Sequence, residues 1–402
     1  MINYGLRNNL PSNTLYNSQV ASLVFCCSIA FKLSSLPGLV AKIMHSSTLW
    51  AYLLMAAIEI ICFTGLYVFS RHGGDEFLTE TRSKIYKIIL VFFMLYLLAK
   101  STIYFSYVAL FLTNELFIQA TPALFFIVFL VPVLYLGIKG ARTIARTSEI
   151  FTILLFLGII INLAFLKSDI DFGRNLPILA LEPSDFFANS LKYGLWLGDL
   201  MPIIFIKMQQ KKAPYIGISV GVSAVLILIS VALGISMYGD AMPFVANMLV
   251  EIAGFNQLSL EIGRMEWISL FIVVTMAIFT MSLLFWGVLS CSERIFKSRK
   301  PMMFMYPTIL IIVLFTAPSM QSIANVAYTN LGYVAFAFAV IFPFALLLTL
   351  AVAKKRHHIA KPKSIESDGN QESEGNQEIN TDSINTEAKT PASTSQAPLS
   401  NV

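Results

Sequence analysis

Short polar runs interrupt this chain at nearly regular intervals. Between them lie ten apolar stretches, at about 17–45, 48–70, 85–112, 122–138, 147–166, 187–209, 215–239, 265–292, 302–318 and 328–352. Most hold about 20 residues, the length at which a helix rising 1.5 Å per residue crosses the hydrocarbon of a bilayer. The pattern predicts an all-α polytopic membrane protein with ten transmembrane helices. Two stretches are broken. The first is interrupted at Lys32-Leu33-Ser34-Ser35-Leu36-Pro37-Gly38, and the sixth from Gly194 to Pro202. A helix that loses its bonding inside lipid leaves N–H and C=O groups unpaired, which is tolerated only beside a protein-lined cavity.

The stretches divide into two sets of five, at about 17–166 and 187–352. An odd number per half makes the second half enter the membrane from the opposite side, the geometry of two inverted five-helix repeats with helices 1 and 6 broken. This reading rests on the span count and the matching breaks, since the halves share no strong residue-level similarity. Broken helices at the start of both halves predict a solute site near the midplane.

Charge fixes the orientation. Strongly basic loops (Arg71/Arg82/Lys84/Lys87; Lys139/Arg142/Arg146; Lys207/Lys211/Lys212; Arg294/Lys297/Arg299/Lys300) and the exit segment Lys354/Lys355/Arg356 alternate with loops carrying little positive charge. One of these has only Arg264, and Ser319–Ala327 has none. The positive-inside rule puts both termini in the cytoplasm, as an even number of spans requires. Trp50 and Trp267 begin spans on the outer side, where interfacial anchors sit. The organisation expected is a cytoplasmic segment at 1–16, a membrane domain at 17–352, and a basic exit with a disordered cytoplasmic tail at 353–402. From Ser364 onward the tail has almost no large apolar side chains to offset chain entropy. The first apolar stretch follows a polar start and is too long for a signal core, so it is expected to stay as an anchor.

Composition agrees: 56% of residues are hydrophobic, 13% are charged and the mean hydropathy is +0.72. The net charge of +5 comes from short loops between spans and predicts no nucleic-acid partner. Cys26, Cys27, Cys62 and Cys291 all fall in apolar spans, without metal-ligand spacing or a disulfide framework, and read as core packing. His357 and His358 read as solvated. Nothing resembles an enzyme: there is no catalytic cluster, nucleotide-binding glycine loop or nucleophile motif, and no cofactor or metal is expected.

Charged residues inside the spans carry the candidate chemistry. Lys32 lies about 15 residues from either end of its span, roughly 22 Å of helix. Asp199 is about 12 residues into span six, and an unpaired charge at that depth costs at least about 2.5–3.5 kcal/mol. The expectation is that Lys32 and Asp199 face one another across a cavity. They either hold the site closed until a zwitterionic ligand supplies replacement charges or form a permanent bolt. Ser34, Ser35, Gly38, Gly194 and Gly198 surround the same breaks and complete the candidate binding set. Glu59 and Lys100, at similar depth on antiparallel spans two and three, are expected to form a structural ion pair rather than a proton relay. Lys192, near the outer end of span six, is expected to snorkel.

At the boundary of spans four and five the chain reads Gly140-Ala-Arg-Thr-Ile-Ala-Arg146-Thr-Ser-Glu149-Ile150. It runs on through an apolar span to Asp169-Ile-Asp171, Asn175-Leu-Pro177 and the broken span with Gly198-Asp199. This order resembles the spore germination permease family, the B subunits of nutrient germinant receptors, which is similar to amino acid–polyamine–organocation transporters. The resemblance covers about residues 15–352, and the Gly140…Arg146…Glu149 run is its most specific piece. It implies a small germinant, commonly an amino acid, at the two breaks, and receptor A and C subunits as partners. It further implies a spore inner membrane location and a gating or structural role for Arg146 and Glu149. Two positions depart from the family pattern. Lys32 stands where an apolar or small residue is usual and would fill a cation position, and Trp196 stands where a proline is frequent and would narrow the pocket. A stand-alone proton-coupled amino acid permease is the alternative reading.

Overall fold

The computed structural model describes residues 14–71, 84–113, 121–166, 170–175, 181–208, 214–254, 266–316 and 331–360. The N-terminal 1–13, the basic loop with Arg82, Asp169, Pro177, Lys211, Lys212, Arg264, Ser319–Ala327 and the tail from 361 lie outside the described residues.

The described chain is helical almost throughout. The first apolar stretch forms α1 (Asn17–Leu33) and α2 (Leu36–Met44), parted at Ser34-Ser35. Next come α3 (Thr48–Arg71), α4 (Lys84–Phe111), α5 (Pro122–Lys139) and α6 (Ala141–Ala164). The sixth stretch begins as α7 (Pro183–Leu191) and then loses α-helical form. It continues as 3-10 turns at Gly194–Trp196 and Met201–Phe205 and a two-residue strand, β2 (Lys207–Met208). After it come α8 (Pro214–Tyr238), a 3-10 turn at Gly239–Phe244, α9 (Met248–Gly254), α10 (Glu266–Phe296), α11 (Lys300–Thr316) and α12 (Leu331–Ala360).

Among the described residues, six helical stretches are long and apolar enough to cross a bilayer: Leu36–Ser70, Tyr86–Phe111, Ala141–Ala164, Tyr215–Phe244, Glu266–Phe296 and Leu331–Ala351. Four shorter apolar ones accompany them, at Asn17–Leu33, Ala123–Lys139, Gly194–Phe205 and Lys300–Val313. Burial sorts them into inner and outer helices. Every residue of α1 from Leu23 to Leu33 is buried, and so is every residue of α10 from Phe279 to Ser292. A helix apolar all round finds no solvent face and settles at the centre. Accordingly, α1 packs on α6, α8 and α10, while α10 also packs on α4 and α5. The outer helices turn large apolar side chains outward: Phe92 and Leu95 on α4, Ile150, Ile153 and Leu157 on α6, Ile341 and Leu348 on α12. That much exposed apolar surface is untenable in water and suits a lipid belt.

Two span boundaries differ from the expectations from sequence. Helix α6 begins at Ala141, not near 147, because Gly140 takes a positive φ of 98° and turns the chain in a single residue. Arg146 therefore lies within the helix instead of before it, and Glu149 lies further inside. Helix α12 continues to Ala360, past the expected end of span ten at 352. Among the described residues after α8, the 3-10 turn packs on α2, and α9 packs on α10 and α6. A further element was not foreseen. Strand β1 (Thr14–Leu15) pairs in parallel with β2, in the register Thr14↔Lys207 and Leu15↔Met208.

Candidate functional site

The break between α1 and α2 follows from its residues. Pro37, in the first turn of α2, has no N–H to give a continuing helix. The Ser34 carbonyl, released from the helix, accepts the N–H of Met248 at 3.0 Å, so the start of α9 closes over the break. Ser34 Oγ donates to the Phe31 carbonyl at 3.4 Å, and Tyr52 of α3 donates to the Lys32 carbonyl at 3.0 Å. Gly38 lies directly against the Val245 carbonyl, where even a Cβ would overlap the backbone. Ser35, half-buried at the break, leaves its hydroxyl without a hydrogen-bond partner.

The sixth stretch unwinds around Gly198, whose φ of 79° favours glycine. Its freed Leu197 carbonyl accepts two side chains of α4, Lys100 Nζ at 2.5 Å and Tyr96 OH at 3.2 Å. Asp199, fully buried, accepts Lys100 Nζ at 2.7 Å and Tyr104 OH at 2.7 Å on Oδ1. Its Oδ2 has no hydrogen-bond partner and faces Lys32 Nζ at 3.9 Å. Lys32 Nζ in turn donates to both carboxylate oxygens of Glu59. Gly194 sits in the 3-10 turn above, hard against Phe336 of α12.

The expected facing of Lys32 and Asp199 is therefore present, as the looser of Lys32's two contacts. The expected Glu59–Lys100 pair is replaced: Glu59 bonds Lys32, and Lys100 bonds Asp199. The physical reason is the second acceptor that the unwound segment offers Lys100, the Leu197 carbonyl, which a carboxylate on α3 does not supply. The result is one alternating chain of charges, Glu59–Lys32–Asp199–Lys100, with no net charge. Loss of one member would leave an uncompensated buried charge, which costs about 3–5 kcal/mol.

Aromatic rings wall this chain. Phe31 stacks on Tyr104 at 3.7 Å, and Tyr104 on Trp196 at 5.3 Å. Lys100 Nζ lies 5.4 Å from the centre of the Tyr104 ring and 5.8 Å from that of Tyr96, within reach of cation–π attraction. Beside them a small cavity, about 30 Å³, is lined by Ser28, Lys32, Glu59, Trp196 and Ser223 among others. That is room for water but not for an amino acid. Ser28 Oγ and Trp196 Nε1 have no hydrogen-bond partner in this structure. A separate cavity of about 640 Å³ is lined by His45, Arg174, Asp240 and Met242, against α2 and the 3-10 turn that follows α8.

Arg146 is exposed and Glu149 half-buried on α6; they are not brought to the breaks and form no ion pair with each other. Lys192 is half-buried and donates to Asn189 Oδ1 at 3.0 Å. All four cysteines are free and buried, and the described residues hold no cluster of metal-ligating side chains. Sequence reasoning missed Tyr96, Tyr104, Ser28 and Met248. Tyrosines inside an apolar run read as packing, and only the polar groups they meet reveal otherwise.

Comparison with known proteins adds the family. The family described as "Spore germination protein" matches residues 14–324. Among solved structures, the chain is similar in fold to the manganese transporter of Eremococcus coleocola. For a form of that protein with a histidine replaced by alanine, the TM-score is 0.54 at 13% identity, covering 83% of this chain and 78% of that one. For its complex with an aromatic bis-isothiourea compound, the TM-score is 0.51 at 12% identity, with the same coverage. No curated protein sequence matches. The long apolar helices, the transporter fold they build and a family match running from β1 to beyond α11 agree: the chain is an integral membrane protein belonging to the spore germination permease family.

Proposed function

We propose that this protein senses a small zwitterionic nutrient, an amino acid, between the broken first and sixth helices, and passes the signal to receptor A and C subunits. The carrying observation is the Lys32–Asp199 contact at 3.9 Å, in which Asp199 Oδ2 has no hydrogen-bond partner. A zwitterion offers this seam both charges it needs, a carboxylate for Lys32 and an ammonium group for Asp199. The adjacent chamber is already edged by Ser28 and Trp196 groups free to bond a ligand. At about 30 Å³ it has room for water but not for an amino acid, so binding must accompany opening. A ligand that prefers the opened state shifts the population toward it, and that shift is the signal.

The architecture that serves this function is ten spans in two inverted halves, at about 17–166 and 187–352. Both termini lie in the cytoplasm, and the spore inner membrane is the location the family supports. Lys32, Ser34, Ser35, Gly38, Gly194, Gly198 and Asp199 form the binding set. Glu59 and Lys100 hold its charges, and Arg146 and Glu149 act away from it on α6.

Deletion spores tested for germination across single amino acids and sugars decide the matter. Loss of response to particular amino acids, with their uptake unchanged, is expected. Uptake of labelled amino acids by the purified chain in proteoliposomes, with germination intact in the deletion, would replace the sensor with a permease. Lys32→Gln is expected to abolish the ligand response while the protein still inserts; an unchanged response would remove Lys32 from the site.

A further inference from the structure

The unwound stretch of helix six gathers oxygen atoms around a single position. The Leu197 carbonyl and Asp199 Oδ1 point at it, and each also accepts a tyrosine hydroxyl, from Tyr96 and Tyr104. A carbonyl and a carboxylate, each steadied by a tyrosine hydroxyl, make a donor pair suited to a hard cation. That position is filled by the ammonium group of Lys100, with two oxygens at 2.5 and 2.7 Å and two aromatic faces beside it. Lys100 reaches it from α4 and is fully buried. Lysine suits the task, because its ammonium is a compact point charge with three donors on a flexible stem.

We infer that Lys100 is a resident cation: its ammonium occupies a latent cation site on the unwound segment, and removing it uncovers a site for a monovalent, oxygen-seeking ion such as sodium. The charge count selects the valence. Glu59, Lys32, Asp199 and Lys100 sum to zero, so losing Lys100 leaves one negative charge, which a monovalent ion restores and a divalent ion overshoots. The wild-type protein then needs no inorganic cation to hold helix six in its unwound form. The inference stands whatever ligand the neighbouring chamber takes.

The test uses the full-length protein purified in detergent, as wild type, Lys100→Ala, Lys100→Gln and Lys100→Arg. Sodium is raised from about 1 to 100 mM while N-methylglucamine keeps ionic strength constant, and the unfolding temperature is followed, since an ion that binds only the folded state raises it. Lys100→Ala is expected to gain about 4 °C or more, and wild type and Lys100→Arg less than about 1 °C. Adding Asp199→Asn to Lys100→Ala should erase the gain. If Lys100→Ala survives purification in sodium but not in N-methylglucamine, that selectivity supports the site equally. The inference is overturned if wild type gains as much as the variant, or if the variant is indifferent to sodium, potassium and lithium. It is also overturned if only manganese or calcium stabilises the variant, or if Lys100→Ala and Lys100→Gln both fail to fold in every salt.

Discussion

Lys32 serves two carboxylates unequally, bonding Glu59 through both oxygens and meeting Asp199 only at 3.9 Å. This inequality predicts which charges are coupled. Exchanging Lys32 and Glu59 (Lys32→Glu with Glu59→Lys) should recover at least about 1 kcal/mol of the stability that either change alone removes, the scale for residues in direct contact. Exchanging Glu59 and Lys100 should recover none. Denaturant unfolding of the three single and two double variants measures both. At the other end of the chain, Asp199→Ala strips Lys100 of its carboxylate and leaves one positive charge in excess, a loss expected near about 3–5 kcal/mol. Asp199→Asn keeps an oxygen for Lys100 and Tyr104 and should lose less. An Asp199→Ala variant as stable as wild type would mean that the buried charges are not coupled as described.

At the scale of elements, the two breaks are held by opposite means. The first is covered by backbone: Met248 caps the Ser34 carbonyl, and Gly38 admits Val245 with no room to spare. Gly38→Val should push the connection after α8 off α2. A cysteine placed at Ser35 in that background should then react with a soluble thiol reagent at least about tenfold faster than with Gly38 intact, a factor worth about 1.4 kcal/mol of opening. The sixth stretch is held by side chains at its centre and, at its end, by β2 pairing with β1. Leu15→Pro removes an N–H from that ribbon, and the Lys207 and Met208 amides should exchange with deuterium about tenfold faster or more.

The same elements show what could be read from sequence. Each buried charge was conspicuous, because a lone Lys, Asp or Glu in an apolar run has few structural reasons to be there. Which charge met which was not legible. Helix α4 is apolar on every face, so its sequence does not fix the rotation that turns Lys100 to Leu197 rather than to α3. The breaks were visible in Pro37, Gly38 and Gly198, where backbone chemistry is local. The seven residues of α9 and the two of β1 are too short to carry a periodicity, and their positions come only from distant partners.

Across the whole molecule, burial runs from a centre of α1 and α10 to a rim of apolar side chains. Ile153, mid-way along α6, is exposed on that rim. Ile153→Lys should cost about 2.5–3.5 kcal/mol of insertion and lower the membrane-inserted yield, whereas Arg142→Lys near the helix start should change nothing. Equal yields would mean that the rim does not face lipid. The charge chain at the centre has a consequence of the same reach. Cut at the 3.9 Å gap, it falls into two electrically neutral couples, one joining α1 to α3 and the other joining α4 to the unwound strand of helix six. Parting along that seam strands no ion in oil, while parting anywhere else does. Any rocking of this protein between two shapes therefore has one inexpensive plane, with α1 and α3 travelling together on one side of it.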